Sequence, residues 1–125
     1  MMKATRFWPP SDFWAGKILF LETSEVEHSP ASLKFILRNY GMMGAFDGLS
    51  ALLLGRPRGY SREKKAQLQK NVLGVVAEEF GRSDLPIVSN MDIGHTDPQM
   101  VLPLGLMAEV DPTGPALTLL EPSVD

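Results

Sequence analysis

The chain has 125 residues, an apolar fraction of 44%, a charged fraction of 22% and no cysteine. That composition fits one globular domain with a real core; it excludes a disordered or fibrous chain, a disulfide framework, a thiolate nucleophile and a cysteine-built zinc site. A formal net charge of −3 argues against a nucleic-acid binder, and no apolar run approaches the ~20 residues a membrane-spanning helix needs.

Residues 1–16 form an aromatic, proline-rich leader containing Phe7, Trp8, Pro9, Pro10, Phe13 and Trp14. It lacks the apolar stretch and small-residue cleavage site of a signal peptide, so a cytoplasmic location is expected. The short apolar run KILFL at 17–21 predicts a strand buried on both faces, as in a parallel sheet. It stops at Glu22. Ser29 followed by Pro30 predicts a helix start. Leu33, Ile36, Leu37 and Tyr40 then make one apolar stripe, and Gly41 is placed for a left-handed C-terminal cap.

Residues 49–54 predict a second buried strand, leading into the loop GRPRG at 55–59. Ser61 and Glu63 open a second helix. Its apolar face is Leu68, Val72, Val75, Val76 and Phe80, and Gly81 ends it. Residues 85–91, with Pro86 near the start, predict a third strand that runs into the turn-rich DIGHTDP at 92–98. Leu106, Ala108 and Val110 alternate with Met107 and Glu109. A turn signal, DPTG at 111–114, and a short strand at 116–120 complete an antiparallel hairpin. The predicted order is βαβαβ followed by ββ, a single α/β domain.

In parallel sheets, chemistry gathers at the carboxyl ends of strands. Glu22 follows the first strand and His95 lies just past the third. A carboxylate bonded to one imidazole nitrogen fixes the tautomer, and the other nitrogen can then take a proton from a nucleophile. The bland alternative is a solvated loop acid and a structural histidine. Asp92, His95 and Asp97 also have a spacing open to an oxygen/nitrogen metal site, or simply to turn formation. Arg56 and Arg58 offer two guanidiniums that can fork onto a carboxylate or phosphate, or sit solvated. The loop lacks the Lys–Ser/Thr ending of a Walker loop. None of Ser11, Ser24, Ser29 or Ser89 sits in a G-x-S-x-G context. The seven methionines read as core filler.

Three segments resemble one family. WAGKILFLETSE at 14–25, the Gly55, Arg56 and Pro57 loop, and PIVSNMDIGHTDPQMVLPLG at 86–105 are similar, in order, to the C-terminal domain of the LD-carboxypeptidases. The ETSE form is closer to the branch of this serine-peptidase family that resembles the microcin C immunity protein MccF. The resemblance implies a swivelling β/β/α domain over 17–125, after the leader at 1–16. It implies a Ser–His–Glu triad in which Glu22 orients and His95 is the general base. Arg56, Asp92 and Thr96 are the expected substrate-binding residues, with no cofactor and no metal. The substrate is expected to carry an amide bond near a terminal carboxylate, in a cell-wall L,D-peptide or an aminoacyl-nucleotide.

The family's nucleophilic serine lies in an N-terminal domain that these residues do not include. The expected partner is therefore that domain, in the same enzyme or as a separately encoded half, and the chain alone is expected to be inactive. Neither a nucleic-acid polymer nor a membrane is expected as a partner. Phe7, Trp8 or Trp14, with Met42 or Met43, is expected to form an exposed patch that drives self-association. The competing reading is a non-enzymatic interaction module that keeps the fold.

Overall fold

Two serine caps set where the long helices begin. Ser29 Oγ accepts from the Ser32 amide at 3.1 Å, and Pro30 occupies the first position of α1, Pro30–Met42. Ser61 Oγ accepts from the Lys64 amide at 3.3 Å at the start of α2, Arg62–Leu73. Both satisfy amides that the helix cannot pair internally. The computed structural model describes residues 5–24, 28–111, 113–114 and 116–124. Glu25 of the first motif and Pro112 of the turn signal lie outside them.

Three strands, β1 (Ile18–Leu21), β2 (Ala51–Gly55) and β3 (Ile87–Met91), form a parallel sheet in the order β1-β2-β3. A separate antiparallel pair follows, β4 (Ala108–Asp111) and β5 (Ala116–Leu119). The mixed α/β domain with a parallel sheet and an antiparallel ββ end is thus present in the expected order. Asp111 Oδ1 accepts from the Thr113 amide at 2.8 Å and its hydroxyl at 2.7 Å, which holds the chain reversal between β4 and β5.

Side chains alternate across the sheet. Leu52 and Leu54 of β2, with Leu19, Leu21 and Ile87, pack with Leu37 of α1 and Leu68 and Val72 of α2. Ile18, Phe20 and Leu53 face the other side, beside Leu106, Leu117 and Leu119. All five residues of β2 are buried, as expected for a central strand. The expectation of burial on both faces does not hold for β1, whose four residues are all half-buried. Among the described residues its only strand neighbour is β2, which makes it an edge strand.

Gly41 is not the left-handed cap. It lies inside the last turn of α1, and a Cβ there would stand 2.5 Å from the ring of Phe80. Gly41 therefore serves close packing, and the left-handed residue is Gly44, at φ +75°. Gly81 does take a positive φ, +69°, just beyond a π-helical turn at Gly74–Glu79 that extends α2. Arg82 next to it donates to the carbonyls of Phe46 and of Leu49, the latter at 3.0 Å. The same guanidinium pairs with Asp84 at 2.9 Å and holds that carboxyl below the usual carboxylate range.

The aromatic leader is pinned to the core. Trp14 is only 8% exposed, and half-buried Trp8 packs at a tilt against Trp14 and edge-on against Tyr40 while donating Nε1 to the Met43 carbonyl at 3.1 Å. Trp14 therefore does not belong to an exposed patch. Phe7 and Met42 are exposed and Met43 is half-buried. No helix among the described residues is long and apolar enough to cross a membrane.

Candidate active site

Because β1, β2 and β3 run parallel, their carboxyl ends share one edge of the sheet. Glu22 leaves β1 there, Arg56 leaves β2, and the loop carrying His95 leaves β3. Residues 73 positions apart in sequence thereby meet. His95 Nδ1 donates to Glu22 Oε2 at 2.9 Å, and the His95 backbone amide donates to the same oxygen at 3.3 Å. A carboxylate only accepts, so Nδ1 carries the proton and Nε2 is the basic nitrogen of the neutral ring. The His95 side chain is 45% exposed and that of Glu22 30%.

Two glycines make this approach possible. A Cβ on Gly94 would lie 2.5 Å from both Cβ and Oε2 of Glu22, and Gly94 adopts φ +83°. A Cβ on Gly55 would lie 2.6 Å from the Ile93 carbonyl oxygen and 3.2 Å from Glu22 Cβ. The sequence reading assigned neither glycine to the site. Their signal was positional: one ends the central strand and the other immediately precedes the histidine.

Arg56 holds the histidine loop from both flanks of His95. Its Nε donates to Asp92 Oδ1 at 2.9 Å, and Nη2 donates to the Asp97 carbonyl at 3.1 Å and the Pro98 carbonyl at 3.4 Å. Its own amide bonds the Met91 carbonyl at 2.7 Å, and the Met100 amide closes back on the Asp92 carbonyl at 2.6 Å. Arg56 and Asp92, both expected at the substrate, are thus engaged with each other. Asp92 faces Arg56 while His95 faces Glu22, and among the described residues no three His, Asp or Glu side chains cluster as metal ligands do.

These residues border an open cleft of about 820 Å³. Glu22, His95 and Thr96 line it, along with Arg58 and Lys65. Thr96 is placed by its amide bonding the Gly94 carbonyl at 2.9 Å. Lys65 was missed from sequence because it sits in the first turn of α2, where charged residues are ordinary. Among the described residues that line it there is no serine.

The sequence and fold have counterparts among known proteins. Residues 1–110 match the family described as LD-carboxypeptidase C-terminal domain. The chain is 28% identical over 104 residues to the microcin C7 self-immunity protein MccF of Escherichia coli, covering 83% of this chain and 28% of that protein. A crystal structure of an MccF-like protein from Streptococcus pneumoniae in complex with AMP has a TM-score of 0.76 at 30% identity, over 91% of this chain and 31% of that one. MccF in complex with aspartyl sulfamoyl adenosine shares the fold at a TM-score of 0.72 and 24% identity, over 99% of this chain and 35% of that one. The chain therefore spans about a third of the length of the relatives it matches. With the match covering most of its length, the chain belongs to the LD-carboxypeptidase C-terminal domain family.

Proposed function

We propose that this chain supplies the Glu and His of a Ser–His–Glu triad that hydrolyses an amide bond near a terminal carboxylate, in a cell-wall L,D-peptide or an aminoacyl-nucleotide. The observation that carries the reading is the 2.9 Å bond from His95 Nδ1 to Glu22 Oε2 at the wall of an open cleft. In this reading the serine comes from residues outside these 125, in a nucleophile domain of the same enzyme or a separate half. His95 Nε2 takes the serine proton as the oxygen attacks the amide carbon. It then returns that proton to the leaving nitrogen, and a water repeats the sequence to release the acyl group. Glu22 holds the ring in the tautomer that leaves Nε2 basic and stabilises the imidazolium as it forms. Arg56, which also borders the cleft, positions the histidine loop.

Support for an aminoacyl-nucleotide substrate comes from the relatives. One is a self-immunity protein against microcin C7, and structures of that group hold AMP, aspartyl sulfamoyl adenosine and glutamyl sulfamoyl guanosine. The test is reconstitution with the serine-bearing domain of an MccF-like relative. The joined enzyme should hydrolyse an aminoacyl-nucleotide. Glu22→Gln should fold normally and lose kcat by a large factor, about 10⁴ for the analogous Asp→Asn change in a Ser–His–Asp triad. Unchanged kcat in Glu22→Gln would overturn the reading.

A further inference from the structure

The two guanidiniums of the loop after β2 have different surroundings. Arg56 also borders the cleft, but its Nε and Nη2 are engaged by Asp92 and by two backbone carbonyls. Arg58 is exposed, and among the described residues it has no hydrogen-bond or ion-pair partner. Lys65, half-buried in the first turn of α2, has none for its ammonium. Both line the cleft that holds Glu22 and His95. The carboxylates in that lining are Glu22, committed to His95, and Asp97. Among the described residues, two unpaired cations therefore face one unpaired acid, on a chain whose net charge is −3. The half-buried Lys65 lays its side chain along the protein, and its ammonium, with no counter-ion among the described residues, can meet an anionic ligand.

We propose that Arg58 and Lys65 form an oxyanion-binding subsite that holds an acidic group of the substrate, a carboxylate or a phosphoryl group, beside His95. The guanidinium offers a planar fork and the ammonium a compact point charge, a pairing suited to an oxyanion with several oxygens. The subsite deepens the triad reading and rests on it for the identity of the ligand as a substrate. Its position explains why a cleft on an acidic chain would accept an acidic molecule.

Binding, without turnover, tests it. AMP is titrated against adenosine, and N-acetyl-D-alanine against its amide, on the chain, followed by NMR. At least one acid should bind about tenfold tighter than its uncharged counterpart, and added salt should weaken that preference. Preference for AMP alone identifies a phosphoryl group, and preference for N-acetyl-D-alanine alone a carboxylate. Arg58→Gln and Lys65→Gln should each remove about tenfold of the acid's affinity, while Arg58→Lys and Lys65→Arg retain most of it. Circular dichroism confirms that each variant is folded, and the charge-keeping pair decides the matter if a Gln variant is not. Equal affinity for acid and uncharged counterpart in both pairs overturns the subsite, as does wild-type affinity in both Gln variants. The triad fails separately, by full turnover in Glu22→Gln of the joined enzyme with acid binding intact.

Discussion

The carboxylate of Glu22 passes across the bare Cα of Gly94, so closely that a methyl group at 94 would lie 2.5 Å from Oε2. The same oxygen is the one that accepts from His95. Glycine at 94 and the Glu22–His95 pair are therefore one geometric arrangement. Gly94→Ala should break it twice, by collision and by forcing a β-carbon into φ +83°. The backbone strain alone is of order 1–3 kcal/mol. The expected outcome is a lower melting temperature for the chain and a larger proportional loss of kcat in the joined enzyme. A variant with wild-type kcat would show that the pair tolerates displacement.

Arg56 should behave as a positioning residue. Its guanidinium bonds on both sides of His95, to Asp92 and to the carbonyls of Asp97 and Pro98. A lysine cannot reproduce that fork. Arg56→Ala in the joined enzyme should lower kcat by about 10²-fold, the order expected for a misplacement near 1 Å, and leave KM within a small factor. Arg56→Lys should recover only part of kcat. A rise in KM with kcat unchanged would instead make Arg56 a substrate ligand.

Part of the acid limb of the stability curve should trace to two arginine–carboxylate pairs at the surface. Arg38 binds Glu79 in a fork at 2.6 and 2.7 Å and holds its carboxyl below the usual range, as Arg82 does for Asp84. Each carboxyl binds fewer protons folded than unfolded. Its contribution is thus complete above the ordinary carboxylate range, about pH 4, and is lost as pH falls through the lowered folded value. Solvent screening keeps it modest. Urea midpoints from pH 7 down to about 2.5 should show wild type converging on a Glu79→Gln/Asp84→Asn variant. A gap that stays constant with pH would assign the difference to packing.

The 125-residue polypeptide alone should turn over neither an L,D-peptide nor an aminoacyl-nucleotide, since among the described residues no serine lines the cleft. Ser24 bonds His28 and Ser89 bonds Gln69. Turnover by the isolated chain that vanishes in His95→Ala would place a nucleophile within it.

Local signals carried much of the fold. Ser29 with Pro30 and Ser61 mark the helix starts because capping is a contact between near neighbours in sequence. The three apolar runs and the later alternation announce a parallel sheet and a hairpin, and parallel connection puts Glu22 and His95 on one edge. The same strings do not distinguish a central strand from an edge strand, since KILFL and ALLLG are equally apolar. Only the pairing order buries β2 and leaves β1 half-buried. Gly41 and Gly94 look alike as glycines, yet one makes room for Phe80 and the other for Glu22, partners 39 and 72 positions away. Arg56 and Arg58 are likewise indistinguishable in the loop. Both border the cleft, and which one clamps the histidine loop depends on Asp92 and the carbonyls beyond it, groups brought in from β3 only when the sheet forms.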